Sequence, residues 1–241
     1  MGYHESLTEG RNAVLEAFRS GKTVDRLFVL DGCQDGPVKT ILREAKKQDT
    51  MVQYVKKERL DQLSETKNHQ GVIAYCAACE YAEVSDILEN AKKKGEAPFI
   101  VLLDGIEDPH NLGAIIRTAN QAGAHGVIIP KRRAVGLTAT VARTSAGAVN
   151  YTPVAKVTNL VTVMEDLKKE GMWFVCADMD GEEMYSLNLK GPIGLVIGNE
   201  GEGVSRLVKE HCDMVASIPM KGDIDSLNAC LLYTSPSPRD A

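Results

Sequence analysis

FIVLLDGIEDPHNLGAIIRTANQAG, residues 99–123, begins with an unbroken apolar run and then changes period. From Phe99 to Leu103 no position is polar, so the strand it predicts is covered on both faces, as in a parallel sheet. NLGAIIRTANQAG then places its apolar residues at helical spacing, with Asn111 as the expected N-cap and Gly123 as the expected stop. Downstream the alternation continues. GVIIP (126–130), MWFVCAD (172–178), GLVIG (194–198) and MVASIPM (214–220) read as strands, and NLVTVMEDLKKEG (159–171) and VSRLVKEHC (204–212) as helices. Periodicity alone therefore predicts a parallel, Rossmann-like α/β sheet whose ligands gather at the carboxyl ends of its strands.

Upstream lies a second, smaller alternation. RNAVLEAFRS (11–20) sets Val14, Leu15 and Phe18 on one helical face. RLFVL (26–30), MVQYV (51–55) and GVIAYC (71–76) read as strands, and VKTILREAKKQ (38–48) and KKERLDQLS (56–64) as helices, with Pro37 favouring the first helix start. Between the two units, EYAEVSDILENAKKKGEAP (80–98) carries Val84, Ile87, Leu88 and Ala91 at helical spacing and ends at Gly95 and Pro98. The expected division is an α/β unit over 1–76, a helical linker over 77–97, a larger α/β domain over 98–229 and an atypical tail over 230–241.

Composition narrows the classes. Hydrophobic residues make up 44% of the 241, enough for a packed core. No run of eighteen apolar residues exists, and MGYHESLTEGRN has no apolar signal core, so a cytoplasmic protein with no membrane partner is expected. The six cysteines include one CxxC, Cys76 and Cys79, but no second ligand pair follows at zinc-site spacing, so no metal is expected. The net charge is -5, yet residues 1–76 hold 12 Lys/Arg against 11 Asp/Glu. In the acidic remainder, Lys131, Arg132 and Arg133 stand out by following an apolar strand directly.

Three loops carry polar groups at the expected strand ends. GNEGEG (198–203) is not a phosphate loop: its glycine order is G-x-x-G-x-G, and no Lys-Ser/Thr follows. Glu200 and Glu202 would repel a phosphate by about 1 kcal/mol or more per close pair. The loop suits a ligand that is neutral or cationic where it touches. DGIEDPHNLGAIIRTANQAG supplies Asn111, Gly113 and Arg117; Gly113 and Arg117 share a helix face, so the glycine leaves space beside the arginine. An arginine among apolar neighbours calls for a charged partner, Asp104 or Glu107. IPMKGDIDSLNA (218–229) offers Ser226 and Asn228 where a helix would begin.

In this order, NLGAIIRTA, GNEGEGVS and IPMKGDIDSLN resemble the three motifs of the SpoU/TrmH class of SPOUT methyltransferases, across about residues 99–229. EGRNAVLEAF and HQGVIAY (69–75) resemble the N-terminal substrate-binding domain of bacterial 23S rRNA guanosine 2′-O-methyltransferases. The resemblance implies an L30e-like α/β domain followed by a trefoil-knotted α/β methyltransferase domain with a parallel sheet. It implies S-adenosyl-L-methionine as cofactor, RNA as substrate (23S rRNA, with tRNA the alternative), a homodimer sharing its site, and no DNA. Carried over residue by residue, it makes Arg117, Asn111, Glu200 and Asn228 the catalytic set. Gly198, Ile218, Met220 and Leu227 become cofactor contacts, and Lys131, Arg132 and Arg133 RNA contacts. After SLN the family continues into a long helix that completes the knot. Here CLLYTSPSPRDA departs, because Pro236 and Pro238 forbid helix interior. The tail over 230–241 is expected to be foreign sequence, leaving this polypeptide impaired.

Overall fold

Two separate sheets account for the named strands among the described residues. The structure, a computed structural model, describes residues 6–219. Met220, Leu227, Asn228, the tail over 230–241 and the helix expected to complete a knot lie outside the described residues. The chain divides into two units, one holding residues up to Glu80 with Gly136–Ala139, the other Tyr81–Val135 and Thr140 onward.

The first unit runs β1 (Ser6–Glu9), α1 (Arg11–Arg19), β2 (Val24–Leu30), α2 (Gly36–Lys47), β3 (Met51–Val55), α3 (Lys57–Leu63) and β4 (Val72–Cys76). Its sheet order is β1-β4-β2-β3; β2 and β3 are parallel, and β4 is antiparallel to both β1 and β2. Helices α1 and α2 bury Val14, Phe18, Val38 and Ile41 against Leu27, Val29, Val72 and Ala74. On the other face Leu60 of α3 packs with Phe28 and Ile73. The EGRN and HQG stretches meet here: Arg11 Nε donates to the Gln70 carbonyl at 3.0 Å, and Arg11 Nη2 pairs with Asp35 at 2.6 Å. The Glu9 carboxylate gathers the 64–66 turn, accepting from Ser64 Oγ, Thr66 Oγ1 and the backbone N–H groups of Glu65 and Thr66.

The second unit begins with α4 (Val84–Lys94) and continues through β5 (Phe99–Asp104), α5 (Pro109–Gln121), β6 (Gly126–Pro130), α6 (Ala139–Thr144), β7 (Val154–Val157), α7 (Leu160–Lys169), β8 (Trp173–Glu183), β9 (Ile193–Gly198), α8 (Arg206–Glu210) and β10 (Met214–Ser217). All six strands are parallel, in the order β10-β8-β9-β5-β6-β7. The apolar run at Phe99–Leu103 becomes β5, central in this sheet, with Ile100 to Leu103 fully buried. The stretch read as lying between the two units forms α4, and its Ile87 joins Ile100, Leu102 and Ile128 in the second unit's core. The sequence pattern leaves three elements unassigned: β1, α6 and edge strand β7. Each is six residues or shorter. β10 ends at Ser217, short of the strand expected through Met220. Among the described residues, no helix is long and apolar enough to cross a membrane.

Two expected outcomes follow from packing and from charge. A Cβ on Gly126 would lie 2.6 Å from Ile87 Cγ1 and Cδ1, where β6 meets α4. Gly126→Ala should lower stability by about 1–3 kcal/mol, seen as a reduced urea midpoint. In that background Ile87→Ala should cost less than in the parent, because it removes the clashing atoms. Burial alone would raise the pKa of Glu9, but its hydrogen bonds outweigh that and hold it below the ordinary 4.5. A lowered folded pKa stabilises above the unfolded value and is lost as pH falls through the folded one. The stability gap between the parent and Glu9→Gln should therefore be full near neutrality and shrink on acidification below about pH 4.5, as followed by denaturant titration.

Candidate active site

β5 and β9 lie side by side and in parallel register, so that Asp104 faces Gly198. The chain leaves β5 towards β6 on one side and leaves β9 towards β10 on the other. Their loops diverge at this point, the topological switch where open α/β sheets open a crevice for ligands.

Asn199 knits the two loops together. Its Nδ2 donates to the Gly105 carbonyl at 2.9 Å, and its Oδ1 accepts from Gly201 N at 2.8 Å and Glu202 N at 3.4 Å. Backbone bonds between Asn199 and Gly203, at 3.1 and 2.8 Å, close the turn. A Cβ on Gly198 would overlap Gly203 and Val204, so this position admits only glycine without rearrangement. Asp104 accepts from Ser205 N at 2.8 Å and ties β5 to the start of α8. Sequence reading passed over Asn199, since an asparagine in a glycine-rich loop reads as a turn former. Only its bond to residue 105 marks it.

Helix α5 starts three residues earlier than expected. Asp108, not Asn111, is the N-cap, accepting from His110 N at 3.0 Å, because Pro109 with its fixed φ takes the first helical position. Asn111 is thereby released from capping, and its Nδ2 donates to Glu200 Oε1 at 2.7 Å across 89 positions of sequence. Gly113 does not make room for Arg117. A Cβ there would overlap the Thr144 side chain and stand 2.9 Å from Ser145 N, so the glycine admits α6 and the turn after it. Arg117 is exposed and makes no ion pair with Asp104 or Glu107, nor any other among the described residues. The need for a partner falls away because solvent reaches the guanidinium.

The structure thus joins Asn111, Glu200 and Gly198 at one sheet edge. Arg117 sits six residues along α5, about 9 Å up its axis and roughly a third of a turn round from Asn111. Ile218 follows β10, which β8 separates from β9, about 10 Å across two strand spacings. Lys131, Arg132 and Arg133 follow β6 at the same carboxyl edge; Arg132 and Arg133 are exposed. At the end of MWFVCAD, burial would raise the pKa of Asp178, but Lys209 donates to it at 2.7 Å and holds it below the ordinary range.

Comparison with known proteins places this geometry in a context. Residues 98–231 match the family described as SpoU rRNA Methylase, and residues 7–82 match the family described as RNA 2′-O ribose methyltransferase substrate binding. The chain is 48% identical to a Bacillus subtilis (strain 168) protein assigned to the TrmH family of tRNA/rRNA methyltransferases, over 91% of this chain and 88% of that one. A Staphylococcus haemolyticus protein of the same assignment is 46% identical, over the same 91% and 88%. Among solved structures, the SpoU methyltransferase AviRb from Streptomyces viridochromogenes, in complex with its cofactor AdoMet, aligns with a TM-score of 0.58 at 26% identity, over 95% of this chain and 87% of that one.

Removal of the Asn199 side chain should loosen the turn without unfolding the sheet. In Asn199→Ala, amide exchange at Gly201 should accelerate roughly tenfold, the worth of one such hydrogen bond. Asn199→Asp retains the acceptor, so Gly201 should stay protected while the tether to Gly105 is lost. Hydrogen-exchange mass spectrometry of the 198–205 segment checks both.

Proposed function

The chain belongs to the SpoU rRNA Methylase family, and from that membership we propose that it is a ribose 2′-O-methyltransferase. It takes the methyl group of S-adenosylmethionine and modifies a guanosine of 23S ribosomal RNA. The match of residues 7–82 to a 2′-O-ribose methyltransferase substrate-binding family supports the ribose hydroxyl as acceptor. The observation that carries the reading is the acidic, glycine-closed turn at the β5/β9 switch point, latched to α5 by Asn111.

The residues present fit the cofactor. S-adenosylmethionine has a sulfonium and an ammonium group and no polyphosphate. Glu200 and Glu202, exposed in a turn with no phosphate-loop pattern, favour cations in that place. Gly198, Ile218, Met220 and Leu227 are the proposed contacts; of these Gly198 lies at the turn itself. When bound, the cofactor supplies an electrophilic methyl group.

The protein's own groups do the positioning. Asn111 donates to Glu200 and fixes the direction of its carboxylate. A ribose hydroxyl must lose its proton as it attacks, which a base or strong acceptors assist. Arg117 is a poor base, since a guanidinium holds its proton throughout the physiological range. Exposed and unpaired among the described residues, it is instead placed to grip a phosphate of the target strand and hold the hydroxyl in line. Lys131, Arg132 and Arg133 extend that grip along the same sheet edge, and Asn228 completes the polar set. We further propose a cytoplasmic homodimer with a knotted second domain.

Incubation with labelled S-adenosylmethionine and deproteinised 23S rRNA or tRNA, followed by mapping of the labelled nucleotide, tests the proposal. Label on a 2′-oxygen of a 23S guanosine is the expected result. Label confined to tRNA moves the substrate class, and label on a base removes the ribose assignment. Arg117→Ala should lower turnover on the order of a hundredfold with circular dichroism unchanged. A folded, fully active Arg117→Ala would remove that residue from the site.

A further inference from the structure

In the first unit, β3 stands at the edge of its sheet and, among the described residues, pairs only with β2. Its side chains alternate between faces, so Val52 and Tyr54 point the same way. Val52 packs against the core beneath α1 and α2. Tyr54, two residues on, is 55% exposed. Its neighbour in type, Tyr75, sits edge-on to Phe28 at 5.8 Å and is used for packing. Tyr54 has no ring contact, hydrogen bond or ion pair among the described residues. The fold gives no reason for a large flat ring there.

The chain turns from Tyr54 directly into a cluster of cations. Lys56, Lys57 and Arg59 are all exposed. Neither lysine side chain makes an ion pair or hydrogen bond among the described residues, and Lys56 does not cap α3 through its side chain. Arg59 reaches only the neutral Gln62, at 3.3 Å. Across 51–59 three cations face one carboxylate, Glu58, in a chain of net charge -5. Three like charges within about one turn repel one another, so the arrangement gains when an anion joins them.

Ring and cations together specify the partner. Phosphates alone would need only the charges. A duplex hides the faces of its bases, whereas an unpaired strand offers both a π-face for the ring and phosphates for the flanking cations. An acidic peptide satisfies the cations and leaves the ring unused. We propose that the β3 edge of the first unit binds single-stranded RNA, Tyr54 stacking on an unpaired base while Lys56, Lys57 and Arg59 hold the neighbouring phosphates. The inference rests on the RNA reading of the preceding subsection and assigns the substrate-gripping surface within it.

Fluorescence titration of the full chain with a twelve-nucleotide single-stranded RNA carrying 2-aminopurine tests it, with the same sequence in a duplex and with poly-L-glutamate alongside. Stacking should quench the 2-aminopurine, and binding should favour the single strand. Tyr54→Ala should weaken binding roughly 5- to 100-fold and abolish the quench. Tyr54→Phe, which keeps the π-face, should stay within about twofold. Neutralising Lys56, Lys57 and Arg59 to Gln should reduce the slope of log K against log salt by about 2, at roughly 0.7 per phosphate contact. The equal neutralisation of Lys92, Lys93 and Lys94 on α4 should leave that slope as it is. If the parent binds the strand and Tyr54→Ala binds it equally well with the quench intact, the platform lies elsewhere and the proposal falls while the RNA reading stands. If the parent binds none of the RNAs, both fall. Equal affinity for poly-L-glutamate with no effect of Tyr54→Ala would assign the edge to an acidic protein and overturn the proposal.

Discussion

The parallel register of β5 with β9, Asp104 opposite Gly198, is the constraint on which the site depends. Two parallel strands in register end side by side, so the loops that follow begin within hydrogen-bonding reach of each other. Every long-range bond of the site uses that coincidence. Asn199 reaches Gly105, Ser205 reaches Asp104, and Asn111 at the start of α5 reaches Glu200. A one-residue slip would offset the two loops by about 3.3 Å and break these bonds. The close packing of Ile100, Leu102, Val196 and Ile197 opposes such a slip, so the core sets the position of the polar site.

Strand β5 was legible in the sequence because a strand covered on both faces must be apolar throughout, and FIVLL admits no other economical placement. The same holds for GVIIP and for the strand before GNEGEG. The polarity of the turn was legible as well, since two glutamates in six residues are acidic whatever the fold. What was hidden is tertiary. The stretch from 134 to 158 has no long period, and its α6 and β7 are too short to declare themselves. Gly113 reads as a gap on a helix, and only the approach of Thr144 shows what fills it. Asn111 reads as a cap by propensity, but Pro109 and Asp108 settle the helix start ahead of it. Asn199 gives no signal at all, because its function lies in a bond spanning 94 positions.

Charge is partitioned in the same economical way. The β5/β9 edge collects carboxylates from Asp104, Glu200 and Glu202, while the strand end beside it carries Lys131, Arg132 and Arg133. A uniformly basic edge would bind a polyanion anywhere and hold no cationic ligand. A uniformly acidic edge would repel the nucleic acid. Opposite signs thus stand at neighbouring strand ends.

Helix α5 enforces that separation within a single element. Asn111 and Arg117 lie on one helix, yet six residues of rise and rotation keep the arginine away from the carboxylate that Asn111 holds. Placed one turn nearer and on the same face, a guanidinium would form a bidentate pair with Glu200, and each would neutralise the other. The pinning of Gly113 against Thr144 and Ser145 fixes the rotation of the helix, so this spacing is rigid. That Arg117 is unpaired among the described residues is therefore a consequence of helix geometry and packing.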